Sequence, residues 1–217
     1  KVFLTFDIDW AHDDIIEDCY KLVSSYSINT TWFVTHKCKF LDVLQNDNNV
    51  ELGVHPNFND LLFKGERKSS SEIMEEILAV VPNPYSVRSH SLTQNERLID
   101  LFKEFGLTHI SNFFVPHCSN IETAPFYLWD KMIMIPHFWQ DNVSIKMNSS
   151  FPFGSNLVSR FQVYNFHPIH VFLNTRNLGV YEKTRPIHHK PNELIRYRQD
   201  GDGVRSQLVK LLESTSI

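Results

Sequence analysis

Val2-Phe3-Leu4-Thr5-Phe6-Asp7-Ile8-Asp9-Trp10 opens the chain with an apolar run of β-formers closed by two acids. Such a run predicts a buried strand over Val2–Phe6, with polar residues at its end. Asp7 and Asp9 are two residues apart, so in an extended segment both carboxylates project to the same side. Two acids that close repel each other, which suits one to hold a cation and the other to act as a base. The alternative is a strand-end pair that merely caps the next helix.

Downstream the pattern repeats. Asp13 or Asp14 is placed to cap a helix whose apolar positions Ile15, Ile16, Cys19, Leu22 and Val23 recur at helical spacing. Thr30–Thr35 reads as a second strand, 40–44 as a helical stretch, and Val50–Val54 as a third strand ending at His55. Ser69 to Glu72 forms a cap with its acid before Ile73, Ile77, Leu78 and Val81, and Pro82 and Pro84 end that helix. Ser86-Val87-Arg88 is a short strand tip. Thr93-x-x-Glu96 reads as a capping box ahead of Leu98, Ile99, Leu101, Phe102 and Phe105, with Gly106 as C-cap. Thr108–Ile110 resumes as strand. Prolines at 116, 125, 136 and 152 make 112–160 a region of short strands and long loops, Phe161–Phe166 is the last clear strand, and 203–212 the last helix.

Strand and helix alternate over the first 110 residues, which predicts an α/β fold with a parallel sheet or barrel, one domain across 1–217. In such folds reactive residues gather at the carboxyl ends of the strands. Asp7 and Asp9, His55, Arg88 and His167 each follow a predicted strand, in four separate places. His55 and Asn59 stand at i and i+4 and would share a face if a helical turn followed the strand.

Composition excludes several functions. The seven glycines are under half the roughly 7% of an average protein, and they form neither G-x-G-x-x-G nor a phosphate-binding loop. The formal net charge of −4 argues against a nucleic-acid surface; the basic stretch 188–198 reads as solvated surface. Cys19, Cys38 and Cys118 form no C-x-x-C pair, which suits free thiols in a reducing compartment. With acids at 7, 9, 13 and 14 there is no signal-peptide pattern, and no apolar run reaches membrane-span length. A cytoplasmic location is the expectation, and the oligomeric state is not legible. Eleven histidines point to metal or proton-transfer work.

Thr5-Phe6-Asp7-Ile8-Asp9, then Leu52-Gly53-Val54-His55-x-x-x-Asn59, then Val87-Arg88-Ser89-His90, then Phe166-His167-Pro168-Ile169-His170 resemble the ordered motifs of the NodB-homology polysaccharide deacetylases, carbohydrate esterase family 4 and its kin. They are most similar to the WbmS-like subgroup linked to O-antigen biosynthesis. The resemblance implies a distorted (β/α) barrel, with the site at the carboxyl ends of its strands. It implies Asp7 as general base, Arg88 as the arginine orienting it, and His167 as general acid. Asp9, His55 and Asn59 fall at the positions that bind a divalent metal, zinc first, with cobalt or nickel as alternatives. Asn59 departs from the family's histidine there, and His90 is a possible replacement ligand or a lining residue. Trp139 and Asp141 resemble the site-wall tryptophan and a supporting acid, and Trp10 is placed to stack on a sugar.

The resemblance thus implies a metal-dependent hydrolase that removes an acetyl group from an N-acetylated sugar in surface-polysaccharide synthesis. A divalent ion brings water to a pKa of about 7, and an imidazole suits protonation of a leaving amine. Hydrolysis of a non-sugar amide or imide, and a silent carbohydrate-binding homologue motivated by Asn59, are the alternatives. His12 is a candidate substrate contact. His36, His109, His117 and His137 are expected to satisfy local hydrogen bonds, and His170 to pack within the fold.

Overall fold

The computed structural model describes residues 1–65, 68–149, 151–152 and 160–215. Strand β1 (Val2–Asp7) lies inside the sheet with a parallel neighbour on each side, and its alternation separates the two faces of the molecule. Leu4 and Phe6, with Ile8 just beyond, are buried against helix α1 (Asp13–Ser24) through Ile15, Ile16, Cys19 and Val23. Each such aliphatic side chain contributes roughly 1.5–3 kcal/mol on burial. Thr5 and Asp7 point to the opposite face.

Eight further strands follow among the described residues: β2 (Thr30–Val34), β3 (Val50–Val54), β4 (Ser86–Val87), β5 (His109–Ile110), β6 (Phe126–Tyr127), β7 (Ile133–Met134), β8 (Trp139–Gln140) and β9 (Gln162–Phe166). They form one curled, half-barrel sheet in the order β6-β7-β5-β4-β3-β2-β1-β9-β8, parallel throughout except for the β6–β7 pair. The α/β class and the distorted barrel expected from the sequence are both present.

The short helices α2 (Leu41–Gln45) and α3 (Asn59–Phe63) flank β3, and α4 (Ser70–Leu78) and α5 (Glu96–Glu104) lead into and out of β4. After β8 come α6 (Asp141–Met147), then α7 (Pro168–Leu173), α8 (Leu178–Thr184), α9 (Pro191–Leu194) and α10 (Val204–Thr215). The Ser69–Glu72 capping box forms as expected. Two other caps differ. His12 Nδ1, not Asp13 or Asp14, accepts the Asp14 N–H at the start of α1. Asn95, not Thr93, caps α5 by accepting the Leu98 N–H, because Thr93 turns its hydroxyl to the His90 carbonyl. Helices α6 to α9 were not legible as periodic segments, being four to seven residues long.

Register brings the strand ends level. Thr5 pairs with Asn165 and Phe6 with Phe166, so Asp7 lies beside His167. Val54 pairs with Val87, so His55 lies beside Arg88. Asp7 pairs with Phe33, and Phe33 with Gly53. A Cβ at Gly53 would meet the Phe33 ring at 2.7 Å and Ser86 Oγ at 2.6 Å, so a bare α-carbon is what lets Phe33 occupy this row. Four separate chain segments therefore deliver polar side chains to one rim.

Candidate active site

Arg88 is completely buried and anchors the rim. Its guanidinium lies 4.4 Å over the Phe33 ring. Nη1 donates to Asp7 Oδ1 (2.9 Å), Asn165 Oδ1 (2.6 Å) and Thr5 Oγ1 (2.9 Å), while Nε and Nη2 donate to the Ser111 carbonyl and hydroxyl. Asn165 Nδ2 in turn donates to Asp7 Oδ2 at 2.7 Å. Each carboxylate oxygen of the expected base thus has one fixed donor. Burial alone would raise the Asp7 carboxyl; the charges of Arg88, His55 and His167 outweigh it and hold the group below its ordinary value.

Across from Asp7, three donor atoms converge. Asp9 Oδ1 lies 3.2 Å from His55 Nε2 and 3.2 Å from His90 Nδ1, and the two imidazole nitrogens are 3.3 Å apart. The spacing is that of one face of a tetrahedron: about 3.3–3.4 Å separates ligand atoms around a zinc ion with bonds of about 2.0–2.1 Å. The nitrogen and oxygen donor set fits such an ion. The buried His55 Nδ1 has no hydrogen-bond partner and sits 3.9 Å from Asp7 Oδ1, the relation in which a carboxylate steadies a ligating histidine. Burial works against ionisation of Asp9, but hydrogen bonds from His55 and His90 hold it well below the usual carboxylate range.

The third corner of the triangle is His90, not a residue at i+4 from His55. After β3 the chain stays non-helical through Phe58, Asn57 Oδ1 accepts the Asn59 N–H, and α3 begins only at Asn59. His55 and Asn59 therefore share no helical face, and Asn59 Nδ2 donates to Ser91 Oγ at 3.0 Å. Two pairs of left-handed residues shape this rim: Asp9 and Trp10 (φ 40° and 56°), and Ser91 and Leu92 (φ 58° and 55°). Such conformations cost roughly 1–2 kcal/mol per non-glycine residue, and here they flank two of the three donors. The Trp10 N–H is held by Thr35 Oγ1 at 3.0 Å, and its half-exposed ring meets His90 edge-on at 5.1 Å.

His167 closes the site. Its backbone N–H and Nδ1 both bond to the buried Asp141, each at 2.6 Å, which leaves Nε2 facing Asp9 Oδ2 (3.5 Å) and Asp7 Oδ2 (3.8 Å). Burial pulls its pKa down, yet Asp141 outweighs it and raises the imidazole to about 10. Asp141 thus touches His167 and not the cleft.

Trp139 is corrected. On β8 it pairs with Tyr164, on the helix-covered side of the sheet, and its ring packs against Phe151, Tyr164 and Phe166 at 4.9–6.0 Å. At 1% exposure it is core, and it lines neither cleft beside the donor cluster. Those clefts lie on either side of Trp10: one of about 340 Å³ reaching His55, the other of about 720 Å³ reaching Asp9, His90 and His167.

Residues 4–185 match the WbmS-like polysaccharide deacetylase family. The chain belongs to the WbmS-like polysaccharide deacetylases. Its fold superposes with a TM-score of 0.95, at 37% identity, on a Bordetella bronchiseptica structure described as a polysaccharide deacetylase involved in O-antigen biosynthesis, covering 100% of this chain and 91% of the other. A family 4 carbohydrate esterase from Streptomyces lividans, solved with acetate, aligns at a TM-score of 0.49 and 12% identity over 99% of this chain and 88% of that one. The curated proteins give no match.

Sequence reasoning missed Thr5, Asn165 and Ser111. The signal was present for two of them. Thr5 and Asn165 sit two residues before Asp7 and His167 on buried strands, so period 2 places them on the same face.

Proposed function

We propose that this WbmS-like chain is a metal-dependent N-deacetylase acting on an acetylated sugar of a surface polysaccharide. The observation that carries the reading is the triangle of Asp9, His55 and His90 donors set between a charge-paired carboxylate, Asp7, and a charged imidazole, His167. Relatives described as polysaccharide deacetylases support the substrate class. Asp9, His55 and His90 would hold the divalent ion, zinc first, and it would supply Lewis acidity and water with a pKa near 7.

Asp7, kept ionised by Arg88 and tied by Asn165, takes the proton from the attacking water. His167, whose Nδ1–H is bound by Asp141, delivers its Nε2 proton to the amine nitrogen as the amide bond breaks. Arg88 cannot lose its charge at working pH, so it orients the base without competing as an acid. Trp10 offers the exposed ring face beside the donors for stacking on the sugar. The silent-homologue alternative drew its motive from Asn59; a third donor from His90 favours the active reading instead.

The test is acetate release from a panel of N-acetylated sugars with added zinc, cobalt or nickel. Asp7→Asn is expected to lose at least about 10³-fold in kcat while binding one equivalent of metal per chain, since Asp7 lies outside the donor triangle. Turnover retained in Asp7→Asn overturns the assignment of the base.

A further inference from the structure

The larger cleft extends well past the donor cluster. At about 720 Å³ it falls in the range that accepts a drug-sized ligand, more than one sugar ring requires. Its walls change character with distance from the acid. A run of rings leads outward: His170 lies 5.8 Å from His167, Tyr181 4.7 Å from His170, and His188 4.9 Å from Tyr181. The same lining includes the exposed Arg185, which directly follows α8, His189 four residues on, and Lys37 from the segment after β2.

The fixed charges on this cleft are unevenly committed. Its acids are Asp9, which belongs to the donor triangle, and Asp13, whose Oδ1 already accepts the Phe40 N–H at 2.9 Å. Lys37 has no acidic partner among the described residues. Arg185 touches Glu182 at 3.4 Å, but both side chains are more than half exposed, and an ion pair so open to water is weak. A guanidinium held that weakly is free to exchange its partner for a phosphate, whose oxygens match its fork of donors.

We propose that this outer half of the cleft is an anion subsite for a phosphate ester carried by the substrate, with Lys37 and Arg185 as its cationic contacts and Tyr181 and His188 as a ring wall. The proposal rests on the deacetylase reading and narrows it: the acetylated sugar arrives bearing a phosphate or diphosphate and not as a neutral polymer. A nucleoside diphosphate sugar and a lipid diphosphate sugar share this chemistry. Neither Lys37 nor Arg185 touches the donor triangle or the base and acid.

Calorimetric titration of the metal-free protein with inorganic diphosphate tests the subsite without reference to turnover. Saturable binding is expected, weakened at least 10-fold in K37A/R185A. No saturable binding, or equal binding by the double variant, overturns the proposal. Parallel titrations with uridine diphosphate and geranyl diphosphate separate the two sources: tighter binding of the first points to a nucleotide carrier, of the second to a lipid carrier. With metal restored, K37A/R185A is expected to keep wild-type kcat/KM on neutral N-acetylated sugars; a loss there equal to the loss on phosphorylated ones contradicts a phosphate-specific role. If diphosphate binds as expected and no acetylated sugar releases acetate with any metal, the deacetylase reading falls while the anion subsite stands.

Discussion

His90 and Asn59 divide one role between them. His90 brings Nδ1 within 3.3 Å of both other donors, while Asn59 directs its carboxamide to Ser91, the neighbour of His90. An imidazole nitrogen is the better zinc donor, and an amide oxygen suits harder ions. Removing a ligand should therefore differ sharply from removing its neighbour's prop. His90→Ala is expected to weaken zinc binding by at least about 100-fold, to judge from the cost of losing even outer-shell partners. Asn59→Ala should stay within about 10-fold of wild type. Competition with a chromophoric chelator measures both. Equal losses in the two variants would place Asn59 in the coordination shell after all. The spacing His55-x-x-x-Asn59 made Asn59 conspicuous in the sequence; only the fold shows that the chain makes no helical turn over 55–58 and that α3 starts at Asn59 itself.

At the level of elements, the strand-end logic was legible because it needs only period 2 and the direction of the chain. Asp7, His55, Arg88 and His167 could be placed on one rim from four short runs of sequence, and the β1–β9 and β3–β4 registers set them side by side. The partners that tune them were not legible, since they come from elements too short to show periodicity. Asp141 is the first residue of the seven-residue α6, and its carboxylate reaches His167 only because β8 pairs in parallel with β9. That pairing also turns Trp139 inward, so of the two neighbouring residues one packs in the core and the other reaches His167 and not the cleft. The Asp141 contact raises His167 to about 10, so the acid stays protonated through neutral pH and activity should fall only as pH climbs toward that value. Asp141→Asn removes the charge that holds the proton. The alkaline limb of the kcat profile is then expected to move down by at least 1 pH unit, with the acid limb, set by Asp7, unmoved. A parallel shift of both limbs, or of neither, would contradict the assignment of His167 as the acid.

The whole molecule carries its histidines in opposite senses, which gives it a defined pH window of stability. His137 and His170 are buried, and burial depresses them to about 3 and about 4; His137 Nε2 donates to Gln140 Oε1, and His170 Nδ1 contacts Thr175 Oγ1. In the unfolded chain both titrate near 6.5, so below that pH the unfolded state binds protons that the folded state refuses. Their contribution is present above pH 6.5 and is lost as pH falls toward the folded values. His167 has the reverse sign: its raised value gives stability that is complete below pH 6.5 and lost as pH rises through about 10. Between pH 6 and 4.5 His137 and His170 each contribute up to about 1.4 kcal/mol per pH unit, and His36, His117 and His188, also lowered by burial, add in the same sense. Asp7 and Asp9 act at lower pH, because an unfolded carboxylate takes up its proton only at about pH 3.9. Urea denaturation of the metal-free protein across that interval should show stability declining with acid, and His170→Gln should flatten the decline by about the share of one proton whatever its offset at neutral pH. An unchanged slope in that variant would mean that His170 takes up its proton while the protein is still folded.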